Sequence, residues 1–227
     1  MEYPGLPGHL ERVRATIAEA QAAGGWSHPV TIVAVTKTHG PEAVRAAYAA
    51  GLRDVGENRV QEALPKQDAC ADVPVAWHLI GSLQRNKARQ VVGRFGLIHS
   101  VDRLELGQEL ARRAAPGRQG VLVQVNCSEE PQKGGVAPPD LPRLLDDLLA
   151  LDGLEVRGLM TMAELTEDAG AQRAAFRRLR DLRDAAERRG ILLPELSMGM
   201  SGDYPVAVAE GATMIRLGTI LFGGRTP

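Results

Sequence analysis

Short runs of aliphatic and β-branched residues alternate along this chain with longer segments in which apolar residues recur every three or four positions. The first pattern is typical of buried parallel strands, and the second of helices that bury one face. Eight runs are predicted to be strands: Val30–Thr36, Arg53–Gly56, Val75–Ile80, Leu97–Ser100, Gly120–Asn126, Leu154–Leu159, Glu195–Ser197 and Thr213–Arg216. A leading helix is predicted over Leu10–Ala23, and further helices near 41–50, 58–69, 85–93, 103–115, 138–151, 168–189 and 203–210.

Strands that alternate with helices predict a parallel sheet covered by helices. Eight strands favour closure into a single α/β domain over residues 1–227, a (β/α)8 TIM-like barrel with an extra N-terminal helix. The alternative is an open, doubly wound sheet. Against it, no GxGxxG motif follows the first predicted strand.

Composition narrows the function classes. The 227 residues carry a net charge of −1 and only 4% aromatic residues, so neither a basic field nor stacking platforms favour nucleic acid as a partner. The chain has no long apolar stretch and no signal-peptide pattern at its start, which predicts a cytoplasmic protein without membrane contact. Two cysteines and scattered histidines predict no metal site. A closed barrel has no free sheet edge, so we expect a monomer.

Lys37 is the first candidate for chemistry, because it stands where the β-branched run TIVAVT ends. The carboxyl ends of barrel strands hold the active sites of this fold. Apolar surroundings there would remove solvent from the amine and favour its neutral, nucleophilic form. The alternative is a surface lysine that merely ends a strand.

A second set of candidates follows the last two predicted strands. Barrels frequently bind phosphate in the loops after strands seven and eight, where backbone N–H groups face the anion. Ser201 and Thr219 offer hydroxyls there, and Gly218 permits close approach of the backbone. Arg216 precedes them on the last strand and needs an acceptor, which a pyridine nitrogen or a barrel carboxylate would provide. Ordinary turns would also explain the glycine and serine content.

Two further strand ends are polar. Asn58 follows the second strand in GENRVQE and could bond a cofactor ring, while His78 and Gln84 in WHLIGSLQRNK could line a pocket. His78, between Trp77 and Leu79, could equally be a core histidine.

Together these motifs resemble the pyridoxal phosphate (PLP) homeostasis proteins, relatives of the alanine racemase barrel domain with PLP fold type III. The resemblance rests on VAVTKTHG (33–40), GENRVQE (56–62), WHLIGSLQRNK (77–87), HSVD (99–102), LSMGMSGDYPVAVAEGAT (196–213) and IRLGTILFG (215–223). It implies Lys37 as the Schiff-base lysine and Asn58 near the ring. It also implies Ser201, Gly218 and Thr219 around the phosphate, with Arg216 facing the pyridine nitrogen.

The chain departs from the racemases in three places. It ends soon after Gly223, so we expect no second domain with a catalytic tyrosine, and the segment matching their ring-stacking histidine reads GLMTM (158–162). Lys133 lies in the loop matching a racemase arginine.

The resemblance therefore implies a protein that holds PLP as a Schiff base, serves intracellular vitamin B6 homeostasis and supplies the cofactor to apo-enzymes. One alternative is a single-domain racemase or lyase of weak activity. Another is a Schiff-base aldolase without PLP, which leaves Arg216 and the phosphate loop without a role.

Overall fold

The computed structural model describes residues 3–128, 130, 133–164 and 166–224. Residues 225–227, part of the C-terminal stretch considered above, lie outside that description. Eight parallel strands pair in chain order, and the first pairs with the last, so the sheet closes into a barrel. The strands are β1 (Thr31–Val35), β2 (Asp54–Glu57), β3 (Ala76–Leu79), β4 (Leu97–Val101), β5 (Gln119–Gln124), β6 (Leu154–Met160), β7 (Glu195–Met200) and β8 (Met214–Leu217). The predicted (β/α)8 barrel is confirmed.

Helices surround the barrel and bury apolar stripes against its outer face. They are α1 (Leu6–Gly24), α2 (Pro41–Ala49), α3 (Val60–Ala69), α4 (Ala88–Val91), α5 (Leu104–Ala114), α6 (Leu141–Leu149), α7 (Ala169–Arg188), α8 (Tyr204–Ala209) and α9 (Thr219–Phe222). Short 3₁₀ turns at Arg85–Lys87 and Pro138–Asp140 precede α4 and α6. The predicted helix near 85–93 is therefore a 3₁₀ turn followed by a single helical turn.

The N-terminal helix α1 is longer than predicted and packs against the last elements of the barrel. It begins at Leu6, because Pro7 is compatible with the first helical turn, where its missing N–H needs no partner. Just beyond α1, Trp26 Nε1 donates to the carbonyl of Ala209 at 2.9 Å, and within it His9 Nδ1 lies 3.0 Å from the carbonyl of Leu221. The extra helix thus fixes the layer around α8 and α9.

The inside of the barrel combines an apolar layer with a group of buried polar residues. The apolar layer is a cluster made by Val33, Leu97, Leu122, Met160 and Met214. Large side chains such as these fill the interior of eight-stranded barrels, so the barrel is a packed core and not a channel. The polar residues belong to the functional site.

Candidate functional site

A cavity of about 1240 Å³ lies at the carboxyl ends of the strands, the face that carries active sites in barrel enzymes. Residues from the ends of β1, β2, β3, β5, β6, β7 and β8 line it. Six of the eight candidates predicted from the sequence are among them: Lys37, Asn58, Ser201, Arg216, Gly218 and Thr219. Residues far apart in the chain therefore meet in one space.

Lys37 follows β1 and is exposed in the open cavity. The desolvation expected for its amine is thus not supplied by the surrounding protein. Thr38, the next residue, also lines the cavity and has φ 69°, a left-handed conformation that is uncommon for a β-branched residue. Strained backbone of this kind is concentrated at binding and catalytic sites. It redirects the chain directly after the lysine, so that Lys37 and His39 both line the cavity.

A buried ion pair supports the end of β1 from outside the barrel. Lys66, on α3, donates to Glu57 Oε1 at 2.5 Å and to the carbonyl of Thr36 at 2.7 Å. The Thr36 hydroxyl donates to the same carboxylate oxygen at 2.5 Å. Both charged side chains are nearly inaccessible, 6% and 0% exposed. Because these bonds converge on the residue before Lys37, they fix the position from which the lysine side chain extends.

The opposite edge of the cavity is formed by the loops after β7 and β8. Ser201 Oγ accepts hydrogen bonds from the backbone N–H groups of Gly218 and Ile220, each at 3.3 Å. These groups belong to the first turn of α9, together with Thr219, which is exposed in the cavity. With those two N–H groups bonded to Ser201 Oγ, the hydroxyls of Ser201 and Thr219 are the donors that this edge presents to an oxyanion such as phosphate.

Arg216 lines the cavity from the interior end of β8 and is only 4% exposed. Its Nη1 donates to Ser197 Oγ at 2.6 Å and its Nη2 to the carbonyl of Thr161 at 3.0 Å. Burial lowers the pKa of Arg216 to about 10, a change that the neighbouring Asp203 opposes. The guanidinium is thus still a cation at neutral pH and can only donate hydrogen bonds.

Asn58 reaches the cavity from the end of β2, next to Gly81 at the end of β3. A Cβ atom on Gly81 would lie 2.1 Å from the carbonyl oxygen of Asn58. Only a glycine permits this close approach of two backbones. The glycine in WHLIGS therefore lets the two loops close on each other and brings Asn58 to the rim.

The expectation that His78 and Gln84 line the pocket is corrected by the structure. Neither is among the residues that line the cavity. His78 is 4% exposed and lies inside the barrel, where its ring bonds His99 and Asp54. Ile80, two residues further along the same face of the chain, does line the cavity, so His78 faces the barrel interior deeper than the cavity residues. Gln84 is exposed on the loop before α4.

Sequence reasoning missed several polar residues around this site, and three of them bear directly on Arg216. Ser197 and His99 lie inside the barrel beside Arg216, and Asp203 lines the cavity. Asp203 Oδ1 accepts from the backbone N–H of Met200 at 2.5 Å, and burial raises the pKa of its carboxyl group. Ser197 stands four residues before Ser201, and its inward position on β7 was the available signal.

The structure also shows where two positions that differ from the racemases lie relative to the cavity. Met162 lines the cavity, at the segment where the racemases have their ring-stacking histidine. Lys133 Nζ donates to the carbonyl of Ala163 at 2.9 Å, and the residue is not among those lining the cavity.

Over 3–128, 130, 133–164 and 166–224, no helix combines the length and the hydropathy needed to cross a membrane. Within the same part of the chain, no three His, Cys, Asp or Glu side chains lie together as metal ligands would.

Comparison with known proteins agrees with this geometry. Residues 9–226 match the family model of the alanine racemase N-terminal domain. A pyridoxal phosphate homeostasis protein of Pseudomonas aeruginosa is 48% identical over 220 residues, which are 96% of this chain and 94% of that protein.

Two solved structures of PipY, from Synechococcus elongatus, are also similar. The structure without PLP has a TM-score of 0.86 at 41% identity, and the match covers 96% of this chain and all of PipY. The structure with PLP bound has a TM-score of 0.80 at 43% identity and covers 91% of this chain and all of PipY.

Proposed function

The chain belongs to the family of pyridoxal phosphate homeostasis proteins, and we propose that it holds PLP as a Schiff base on Lys37 for intracellular vitamin B6 homeostasis. The observation that carries the proposal is the convergence of Lys37, Arg216 and the Ser201–Thr219 edge on one cavity. The cavity thus offers a primary amine for an aldehyde and a hydrogen-bond donor for a neutral pyridine nitrogen. It also offers hydroxyl donors for a phosphate.

Each part of the cofactor has a partner of matching chemistry. The amine of Lys37 can attack the aldehyde carbon, with loss of water, to give the covalent bond. The edge formed by Ser201, Gly218 and Thr219 offers donors for the phosphate. Arg216 offers a donor for the pyridine nitrogen, and Asn58 offers an amide near the ring hydroxyl. PipY, which has been solved with PLP bound, supports the assignment of this ligand.

The same features favour a carrier over a turnover enzyme. A protonated pyridine ring withdraws electrons from a bound substrate more strongly than an unprotonated one. Arg216 can only donate to that nitrogen, and it therefore favours the unprotonated, weaker form. Lys37, in contrast, is exposed, so outside amines can reach the covalent bond and exchange for it. The proposal is a cytoplasmic monomer that stores a reactive aldehyde and passes it to apo-PLP enzymes.

Borohydride reduction tests the lysine assignment directly. The chain has four lysines, Lys37, Lys66, Lys87 and Lys133, so peptide mapping after reduction can distinguish them all. We expect the reduced cofactor on Lys37 alone. Lys37→Ala should abolish covalent attachment, whereas Lys133→Ala, at the same end of the barrel, should retain it. Labelling of any other lysine in the parent protein would contradict the assignment.

A paired assay tests the carrier function. The PLP-loaded protein should activate an apo-PLP enzyme, and the same preparation should interconvert D- and L-alanine far more slowly than the 1–10³ turnovers per second, roughly, that are usual for enzymes. Fast racemisation without cofactor transfer would contradict the proposal.

A further inference from the structure

A continuous hydrogen-bond chain crosses the inside of the barrel, from the cavity to its opposite end. It runs from Arg216 Nη1 to Ser197 Oγ (2.6 Å), to His99 Nδ1 (2.9 Å), from His99 Nε2 to His78 Nδ1 (2.9 Å), and from His78 Nε2 to Asp54 Oδ1 (3.1 Å). Its members come from β8, β7, β4, β3 and β2. We call these five residues the interior chain.

The direction of every hydrogen bond in the interior chain follows from its two ends. A guanidinium can only donate and the Asp54 carboxylate can only accept, so with both imidazoles neutral Ser197 Oγ accepts from Arg216 and gives its single O–H to His99 Nδ1. His99 must then carry its proton on Nε2, which it donates to His78 Nδ1. His78 carries its own proton on Nε2 and donates it to the Asp54 carboxylate. All donors therefore point the same way, away from the cavity.

The burial of these side chains keeps water from competing for their hydrogen bonds, so the direction of the bonds is maintained. Ser197 and His99 are 0% exposed and His78 is 4% exposed, whereas Asp54 at the far end is 30% exposed. Burial, reinforced by the nearby His78 and Arg216, holds the pKa of His99 well below its ordinary value. His99 is therefore neutral near pH 7 and remains able to accept from Ser197.

The interior chain does not conduct protons to the cavity, because it begins at an arginine, which does not release its proton in proteins. Its effect is geometric. The bonds to Ser197 and to the Thr161 carbonyl fix two separate N–H groups of a planar guanidinium, and two fixed points on a plane leave it little freedom to rotate.

We propose that Ser197, His99, His78 and Asp54 are positioning residues, which hold Arg216 so that its remaining N–H groups face the ligand in the cavity. This rests on the proposed function, in which that ligand is PLP and its pyridine nitrogen accepts from Arg216. The interior chain then determines that the nitrogen meets a fixed donor. Residues that do not touch the cofactor would in this way influence the protonation of its ring nitrogen.

The first test uses the protein without cofactor. Long-range ¹H–¹⁵N NMR spectra distinguish the two neutral forms of histidine and its cation. Both His78 and His99 should be neutral and carry the proton on Nε2 at neutral pH. A proton on Nδ1 of either ring, or a charged His99, would overturn the proposal. This result stands whether or not the protein binds PLP, so it separates the failure of this inference from that of the proposed function.

The second test uses a matched pair of variants, one on β7 and one at the residue before β8. Ser197→Ala interrupts the interior chain, whereas Thr213→Val removes a hydroxyl that accepts from the Leu196 N–H at 2.8 Å outside it. Without Ser197 the Arg216 side chain must be ordered when the ligand binds, so Ser197→Ala should weaken PLP binding about two- to tenfold. Thr213→Val should change it less than about twofold. Equal losses in the two variants would overturn the proposal.

Spectroscopy separates positioning from a loss of stability. With ¹⁵N-labelled PLP, the ring-nitrogen shift should report an unprotonated nitrogen hydrogen-bonded to Arg216, and this signal should change in Ser197→Ala and stay constant in Thr213→Val. His99→Gln, whose amide offers one acceptor and one donor, should preserve more of the signal than His99→Leu. A ring-nitrogen signal that is the same in every variant would overturn the proposal.

Discussion

The two sides of the cavity are supported in opposite ways. On the first side, a buried ion pair between Lys66 and Glu57 holds the backbone before Lys37 from outside the barrel, and the Lys37 side chain itself is left free. On the second side, neutral groups inside the barrel bond the Arg216 side chain directly. A nucleophile must move to form and release a covalent bond, whereas a donor that orients a ring must stay fixed. The difference in support matches this difference in role.

The ion pair of the first side should have the largest effect on stability. Lys66→Met removes one partner and leaves the Glu57 carboxylate buried without its cation, which typically costs about 3–5 kcal/mol. Urea denaturation measures this change in the free energy of unfolding. The exposed Arg45–Asp72 pair provides the control, because solvent screens its charges and Arg45→Met should change the free energy of unfolding far less than Lys66→Met does.

The double variant sharpens the interpretation. Lys66→Met combined with Glu57→Gln removes both buried charges, and it should recover part of the stability lost in Lys66→Met alone. The opposite result would be a double variant that is markedly less stable than Lys66→Met alone. It would show that Lys66 and Glu57 stabilise the fold independently and do not act as a pair.

Hydroxyl groups on the second side should have the next largest effect, seen in ligand binding. Ser201→Ala and Thr219→Val should weaken PLP binding by about 1.5–3 kcal/mol each, roughly ten- to a hundredfold, because bonds to a charged group are lost. Pyridoxal, which lacks the phosphate, is the control ligand and should be affected much less. Equal losses for PLP and pyridoxal would show that these hydroxyls do not contact the phosphate.

The interior chain should also make stability depend on pH. His99 stays neutral in the folded protein because its pKa is lowered by burial, but it binds a proton in the unfolded chain below about pH 6.5. The unfolded state then binds more protons, so the free energy of unfolding falls as the pH falls, by up to about 1.4 kcal/mol per pH unit.

His99→Gln cannot titrate and should lose this slope below about pH 6.5. Asp203 contributes with the opposite sign, since its raised pKa makes the folded state bind the additional proton. Subtracting the variant from the parent protein at each pH removes that contribution. Parallel stability curves for the two proteins between about pH 5 and pH 7 would contradict the assignment of a neutral His99.

The sequence was sufficient for the barrel and for the residues at the cavity rim, because both depend on local pattern. The alternation of short aliphatic runs with helix-like segments located all eight strands. A polar residue directly after a strand lies at the rim, because the strands of the barrel end there. Depth inside the barrel is different. Whether inward-facing His78 reaches the cavity depends on the stagger of neighbouring strands, which local pattern does not encode.

Pairings between distant elements were equally inaccessible. Lys66 lies in VQEALPKQDA, which reads as an ordinary helix with a surface lysine, and only the packing of α3 against β2 buries it beside Glu57. The short helix α9 was missed because four residues, Thr219–Phe222, cannot show a helical period.

The smallest predicted effect is at the edge of the first side, where Tyr3 bonds His39. The Tyr3 hydroxyl lies 3.0 Å from His39 Nδ1, and the Tyr3 ring meets that of Phe222 edge-on at 5.3 Å between centroids. Tyr3→Phe keeps the ring contact and removes only the hydroxyl, so it should cost about 0.5–1.5 kcal/mol of unfolding free energy in urea denaturation. Covalent attachment of PLP to Lys37 should persist, since the lysine is supported by Thr36 and the ion pair rather than by Tyr3. A loss as large as that of Lys66→Met, or a loss of attachment, would show that the edge of the cavity supports Lys37 as strongly as the buried pair does.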